Sequence, residues 1–208
     1  FKVPHKKMRV VYNGIDTEAF RPVEGVQKEK NRLIVVANTS DRKKGVLYLL
    51  RAVRDLRRDM DVKLTIVDRG RPDNEYTPAL AERCGLNGSV EFTGRISTDE
   101  LARQYCRAEV AVVPSLYEGF GLPAAEAMSC GIPVVSTTAG ALGEVVDEKS
   151  GILVPAGDHN AIAEAVRRLL LDEGLRRSMG QAGRERVLKM FSWEEAARKT
   201  LDVYREVM

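Results

Sequence analysis

Histidine and cysteine are scarce in this 208-residue sequence, which has only His5 and His159, and Cys84, Cys106 and Cys130 at wide spacings. Three cysteines with no CxxC pair fit neither a disulfide framework nor a zinc cluster. A reducing, cytoplasmic compartment is the simplest setting, with peripheral contact at the inner membrane face left open. Long apolar runs are missing too. Stretches such as Glu109–Pro114 and Ile132–Ser136 fall far short of the roughly 20 residues of a membrane span, and no signal peptide is visible. Nor does one sign of charge dominate: 33 Lys+Arg against 30 Asp+Glu give a net charge of +3, interleaved along the chain. That pattern speaks against a nucleic-acid partner. Basic clusters at His5–Arg9 and Arg167–Arg168 read as solvated faces, and Arg42–Lys44 is the exception taken up below. What is present, 44% hydrophobic and 30% charged residues, describes a globular chain able to bury roughly 70% of its unfolded surface. The first residue is Phe1 rather than Met, and the expectation is that an upstream half precedes it.

Apolar runs of strand length alternate with stretches of helical periodicity. Met8–Tyr12 is a short apolar run ending in the Asn13-Gly14 turn signal, followed by a polar connector over Asp16–Arg32. Leu33–Asn38 predicts a strand. Gly45–Met60 carries Val46, Leu49, Leu50, Val53, Leu56 and Met60 at spacings of three or four, one helical stripe. The same unit repeats with different sequence: strands at Val62–Asp68, Val90–Gly94, Val110–Pro114 and Ile132–Ser136, helices at Tyr76–Cys84, Thr98–Arg107 and Leu122–Cys130. Ser97 with Glu100 forms a capping box, and Pro123 and Gly131 punctuate the last of these helices. Gly151–Val154 predicts an edge strand and Ala161–Asp172 an amphipathic helix. Glu185–Phe191 and its upstream stretch read as helical despite Gly180 and Gly183. A second capping box, Ser192 and Glu195, opens a final helix to Met208 with Trp193, Ala197, Leu201 and Tyr204 along one side. The fold class is α/β: a doubly wound, mostly parallel sheet with a carboxyl-terminal helical extension. Such sheets bind ligands beyond the carboxyl ends of their strands.

That rule directs attention to Ser115–Pro123, which joins a strand to a helix start. Gly119 and Gly121 allow backbone amides to approach a ligand, and a helix amino end carries roughly half a positive charge, so a phosphate or diphosphate is the natural guest. A glycine turn serving packing alone explains those glycines equally well. Glu118 and Glu126 tip the balance. Carboxylates are repelled by a diphosphate but suit vicinal sugar hydroxyls, which donate two roughly parallel hydrogen bonds; the competing role for Glu126 is to complement the helix dipole. In the loop Asn38–Gly45, the cations Arg42, Lys43 and Lys44 precede a helix, an unfavourable placement unless an anion sits among them.

Together these residues resemble the carboxyl-terminal, donor-binding half of family-4 glycosyltransferases of the GT-B fold. The resemblance rests on Pro114-Ser115-Leu116-Tyr117-Glu118-Gly119-Phe120-Gly121-Leu122-Pro123, Glu126-Ala127-Met128 and Cys130-Gly131-Ile132-Pro133-Val134-Val135, with the E-x7-E pattern at Glu118 and Glu126. Asn13-Gly14-Ile15-Asp16, Lys44-Gly45, Phe92-Thr93-Gly94-Arg95, Gly140 with Glu144, Gly151-Ile152-Leu153-Val154 and Phe191-Ser192-Trp193 extend it over nearly the whole chain. It implies retaining transfer of a hexose from a nucleoside-diphosphate sugar, with no tightly bound cofactor or metal. It implies further that Glu118 contacts the transferred sugar and Glu126 the ribose. Backbone at Gly119, Phe120, Gly121 and Leu122 would hold sugar and diphosphate, Lys44 would neutralise the leaving group, and Arg95-Ile96 would face the base. It also implies a division into a connector with a first strand (1–20), a donor-binding domain (21–191) and a cross-over helix (192–208), and a missing amino-terminal acceptor-binding domain as partner.

The sequence departs from the family at two places. Asn38-Thr39 stands where Gly-Arg is usual, leaving Thr39 in the site without a second diphosphate cation and Arg42 or Lys43 as substitutes. Val67-Asp68-Arg69-Gly70 replaces a glycine-rich loop. Two other functions compete: a GT-B epimerase or phosphorylase, and a nucleotide-sugar-binding module without catalysis. The absence of GxGxxG after Leu33–Asn38 and of GK[ST] disfavours dinucleotide and P-loop domains. Donor base, acceptor and membrane association stay open.

Overall fold

A computed structural model describes residues 4, 7–70 and 76–208; the cluster His5–Arg9 lies partly outside them. Among the described residues six strands form one parallel sheet: β1 (Arg32–Ala37), β2 (Lys63–Asp68), β3 (Val90–Phe92), β4 (Val110–Val113), β5 (Val134–Thr137) and β6 (Gly151–Val154). Their spatial order is β3-β2-β1-β4-β5-β6. The chain therefore winds outward from β1 to one edge, returns to the middle, and winds outward again from β4. A crevice opens where the direction reverses, between the carboxyl ends of β1 and β4.

The α-helices among the described residues are α1 (Val46–Leu56), α2 (Tyr76–Arg83), α3 (Thr98–Arg107), α4 (Leu122–Ser129), α5 (Leu142–Val145), α6 (His159–Leu171), α7 (Glu173–Met190) and α8 (Trp193–Val207). The strands divide their side chains by the two-residue period. Leu33, Val35, Val110 and Val112 point into one core, shared with α1 and α6 through Leu49, Leu50, Val53, Ile162 and Leu169. Ile34, Val36, Ala111 and Val113 point into the other, with Tyr105 of α3, Met128 of α4 and Val187 of α7. Full burial of each large aliphatic side chain is worth about 1.5–3 kcal/mol.

Two points differ from the sequence reading. Met8–Tyr12 does not form a strand: Val10 is 74% exposed, and β3 and β6 hold the sheet's two edges. The segment is anchored elsewhere, by Tyr12 edge-on against Phe191 at 5.3 Å and by the Ile15 amide donating to the Phe191 carbonyl at 2.6 Å. The helix expected over Glu185–Phe191 and its upstream stretch forms as one continuous helix, Glu173–Met190, started by Asp172, whose carboxylate accepts from the Leu175 amide at 2.8 Å. The four-residue α5 has no counterpart in the sequence reading. The edge strand β6 and the final helix form as expected, the latter capped by Ser192 on the Glu195 amide. Its stripe of Trp193, Ala197, Leu201 and Tyr204 is exposed.

Candidate active site

Two ion pairs meet the β4–α4 unit at the crevice. Lys44 ends a 3-10 turn, Arg42–Lys44, held after β1 by the Asp41 carboxylate on the Lys43 amide. Its Nζ lies 2.9 Å from Glu118 Oε2, and the buried Ser115 hydroxyl donates to the same oxygen at 3.1 Å. The second pair joins Arg69, which follows β2, to Glu126 in the second turn of α4. One Arg69 nitrogen reaches Oε1 at 3.1 Å and Oε2 at 3.0 Å. Tyr105 of α3 donates its phenol to Glu126 Oε2 at 3.0 Å. The Glu126 side chain is 7% exposed, the Arg69 side chain 40%.

Local bonding fixes these groups. The Leu116 amide donates to the Lys43 carbonyl at 2.7 Å, tying the β4 loop to the β1 loop. The Thr137 hydroxyl at the end of β5 donates to the Ser115 carbonyl at 2.6 Å, and the Ala141 amide to the Glu118 carbonyl at 3.0 Å. Gly140 makes that last approach possible. It has φ +60°, and a Cβ there would overlap the Glu118 carbonyl oxygen. Asp68 braces the β1 and β2 loops together, accepting from the Thr39 amide at 3.1 Å, the Gly70 amide at 2.7 Å and the Thr39 hydroxyl. Helix α4 starts at Gly121 with no side-chain cap. The positive end of its dipole therefore faces the crevice uncompensated by a side chain.

The structure brings Glu118, Glu126, Lys44 and Thr39 to the carboxyl edge of β1 and β4. Gly119 is open, with nothing near a Cβ placed there, and Leu122 is 41% exposed. Phe120 turns the other way and packs on Phe191 at 5.6 Å, leaving only its backbone for a ligand. Thr39 is buried, its hydroxyl engaged by Asp68. Arg42 lies over the Tyr76 ring at 5.9 Å. Arg95 is exposed and donates to the Arg69 carbonyl at 3.3 Å, which places it beside the β2 loop, while Ile96 packs against the core. Sequence reasoning missed Arg69, Tyr105 and Asp68 as neighbours of the site. Arg69 and Asp68 had a signal in the departure from the glycine-rich loop, whereas Tyr105 looks like any core tyrosine of an amphipathic helix. Burial, with Glu126 as a lesser cause, pushes the Tyr105 phenol well above its ordinary pKa.

The profile of the family described as glycosyl transferases group 1 matches residues 16–186. The chain belongs to that family. It is 40% identical over 210 residues to MMP alpha-(1->4)-mannosyltransferase of Mycolicibacterium hassiacum, covering 100% of this chain and 50% of that protein. A D-inositol 3-phosphate glycosyltransferase of Nocardioides sp. is 34% identical over 222 residues, covering 96% and 48%. Among solved structures, sucrose-phosphate synthase from Thermosynechococcus elongatus superposes with a TM-score of 0.87 at 34% identity, covering 96% of this chain and 52% of that one. The chain thus spans about half the length of these relatives. No helix among the described residues is long and apolar enough to cross a membrane.

Proposed function

We propose that this chain is the nucleotide-sugar-binding half of a retaining glycosyltransferase that moves a hexose from a nucleoside-diphosphate sugar to an acceptor hydroxyl. The observation that carries the reading is the Lys44–Glu118 pair at 2.9 Å, seated at the sheet's switch point beside the uncapped start of α4. A cation and a helix amino end suit a diphosphate; a carboxylate beside them suits a sugar hydroxyl.

In the reaction, the bond from the sugar's anomeric carbon to the diphosphate oxygen breaks and the acceptor oxygen takes its place. Negative charge grows on the leaving diphosphate. Lys44 and the amides of Gly119, Phe120, Gly121 and Leu122 are fixed where that charge develops and need no reorganisation to stabilise it. No tightly bound metal is required for this step. Glu118, steered by Ser115 and Lys44, holds a hydroxyl of the transferred hexose; Glu126 holds the ribose; Arg95-Ile96 faces the base. Residues 21–191 form the donor-binding domain, 1–20 a connector, and 192–208 a helix crossing to an acceptor-binding domain. The exposed stripe Trp193, Ala197, Leu201, Tyr204 and the relatives' doubled length support that division, and the mannosyl relative supports a hexose.

The test is the product's stereochemistry. The complete enzyme, given an α-configured nucleotide sugar and its acceptor, should yield an α-glycoside by proton NMR. A β-linked product, or epimerised donor without transfer, overturns the proposal.

A further inference from the structure

A bound nucleoside diphosphate brings about three negative charges near neutral pH, one on the inner phosphate and about two on the terminal one, whose last proton leaves near pH 6. Lys44 alone does not offset them. It is already paired with Glu118, so that pair nets no charge. Among the described residues the other cations of this region are Lys43, which is exposed, Arg42, which lies on the Tyr76 ring, and Arg95, which is exposed beside the β2 loop. Arg69 is placed differently. The ladder fixes its backbone, with Asp68 opposite Ala37 and the Arg69 amide donating to the Ala37 carbonyl at 2.9 Å. Its side chain reaches past β1 to α4, where Glu126 lies five residues beyond the Gly121 cap, about 7 Å along the helix axis. A guanidinium there is within one side chain's swing of the helix amino end.

Glu126 has two kinds of partner with different obligations. Tyr105 is fully buried and cannot leave. The Arg69 side chain is 40% exposed and can rotate toward water. We propose, resting on the donor reading above, that Arg69 is a phosphate-binding residue of this chain, held on Glu126 while the crevice is empty and exchanged on donor binding. Ribose hydroxyls take the carboxylate, Tyr105 remains as its buried donor, and the guanidinium turns its fork of donors to the diphosphate. The pair prevents a buried carboxylate from standing uncompensated in the free protein. It also couples two halves of one ligand. A nucleoside alone or pyrophosphate alone must break the Arg69–Glu126 pair for a single gain, whereas a nucleoside diphosphate breaks it once and satisfies both groups.

The coupling separates this role from a structural one. The chain is titrated with UDP, GDP and ADP and with uridine, guanosine and adenosine, followed by ligand-observed NMR, and the pair with the tightest diphosphate is carried forward. Arg69→Met should weaken binding of that diphosphate at least threefold while leaving its parent nucleoside's affinity unchanged or raised. A smaller loss, or an equal loss for nucleoside and diphosphate, overturns the assignment of Arg69 alone. A wild-type chain that binds none of the three diphosphates overturns the donor reading and this assignment with it. Should Arg69→Met fail to fold by circular dichroism, Glu126→Gln gives the complementary reading. It releases Arg69, so inorganic pyrophosphate should bind at least threefold more tightly, and an unchanged or weaker affinity overturns the proposal.

Discussion

Lys44 Nζ and Glu118 Oε2, from residues 74 positions apart, stand 2.9 Å from each other across the junction of the β1 and β4 loops. Neither loop makes the site alone. The first supplies the cation and the second the carboxylate, the glycines and the helix start. The Leu116 amide on the Lys43 carbonyl holds the two in register, and the Thr137 hydroxyl on the Ser115 carbonyl ties the second loop to β5.

Removing the cation should act on the diphosphate. Lys44→Met is expected to weaken nucleoside-diphosphate binding about tenfold, or 1.4 kcal/mol, and to lower kcat in the complete enzyme, since the same charge is stabilised more strongly as the leaving group departs. Calorimetric titration and steady-state kinetics check the two parts. Unchanged kcat and affinity would separate Lys44 from the site.

Glu118→Ala should behave in the opposite sense. It removes a hydroxyl-binding group and releases Lys44, so nucleoside diphosphate is expected to bind as well as before or better, while transfer by the complete enzyme is lost. Turnover at the wild-type rate would favour a binding module without catalysis.

Gly140→Ala tests the support of Glu118. At φ +60° an alanine costs about 1–2 kcal/mol in backbone strain, and its Cβ would also displace the Glu118 carbonyl. Urea unfolding should show a loss of at least that size, accompanied by weaker donor binding. Gly143→Ala is the control, because nothing lies within 4 Å of a Cβ there, and it should leave donor binding unchanged without lowering stability.

Tyr105 gives a pH signature. Its phenol is raised well above the ordinary value of 10.0 by burial and by Glu126. Its contribution is therefore fully present below pH 10 and is lost as the pH climbs from 10 toward the folded-state pKa, where unfolded chains ionise and the folded one does not. Tyr105→Phe should cost roughly 1.5–3 kcal/mol at pH 8, the range for a hydrogen bond to a charged group. It should also show a smaller further loss at pH 10.5 than the wild type does. Equal alkaline losses would contradict the assignment.

Much of this arrangement is legible in the sequence because local rules and global fold agree there. The strand β1, the amphipathic α1 and the Ser97 cap of α3 follow from period and cap chemistry alone, and the resemblance carried by Glu118 to Glu126 points to the crevice. The failures have physical causes. Met8–Tyr12 has strand composition but is held away from the sheet edges, with Tyr12 packed edge-on against Phe191 at 5.3 Å. The helix expected through Gly180 and Gly183 does form, because these glycines, which weaken a helix in isolation, sit where α7 presses on α4: a Cβ at Gly180 would overlap the Gly131 carbonyl, and one at Gly183 would crowd Met128 at 3.1 Å. Close packing overrides propensity there. Arg69 is visible in the sequence only as a departure from the glycine-rich loop, and its pairing is not, because its partner, Glu126, is 57 residues away and only the β2-to-α4 geometry brings them together.

The central claim is that the crevice between β1 and β4 grips a nucleoside diphosphate through Lys44. Thermal unfolding of the chain with UDP-, GDP- and ADP-sugars tests it most directly. A ligand at a hundred times its Kd adds about 2.7 kcal/mol, which for a domain of this size raises Tm by roughly 5–10 °C. At least one donor should do so with the wild type, and the gain should shrink in Lys44→Met. No shift with any of the three, or the same shift in both proteins, would contradict the account.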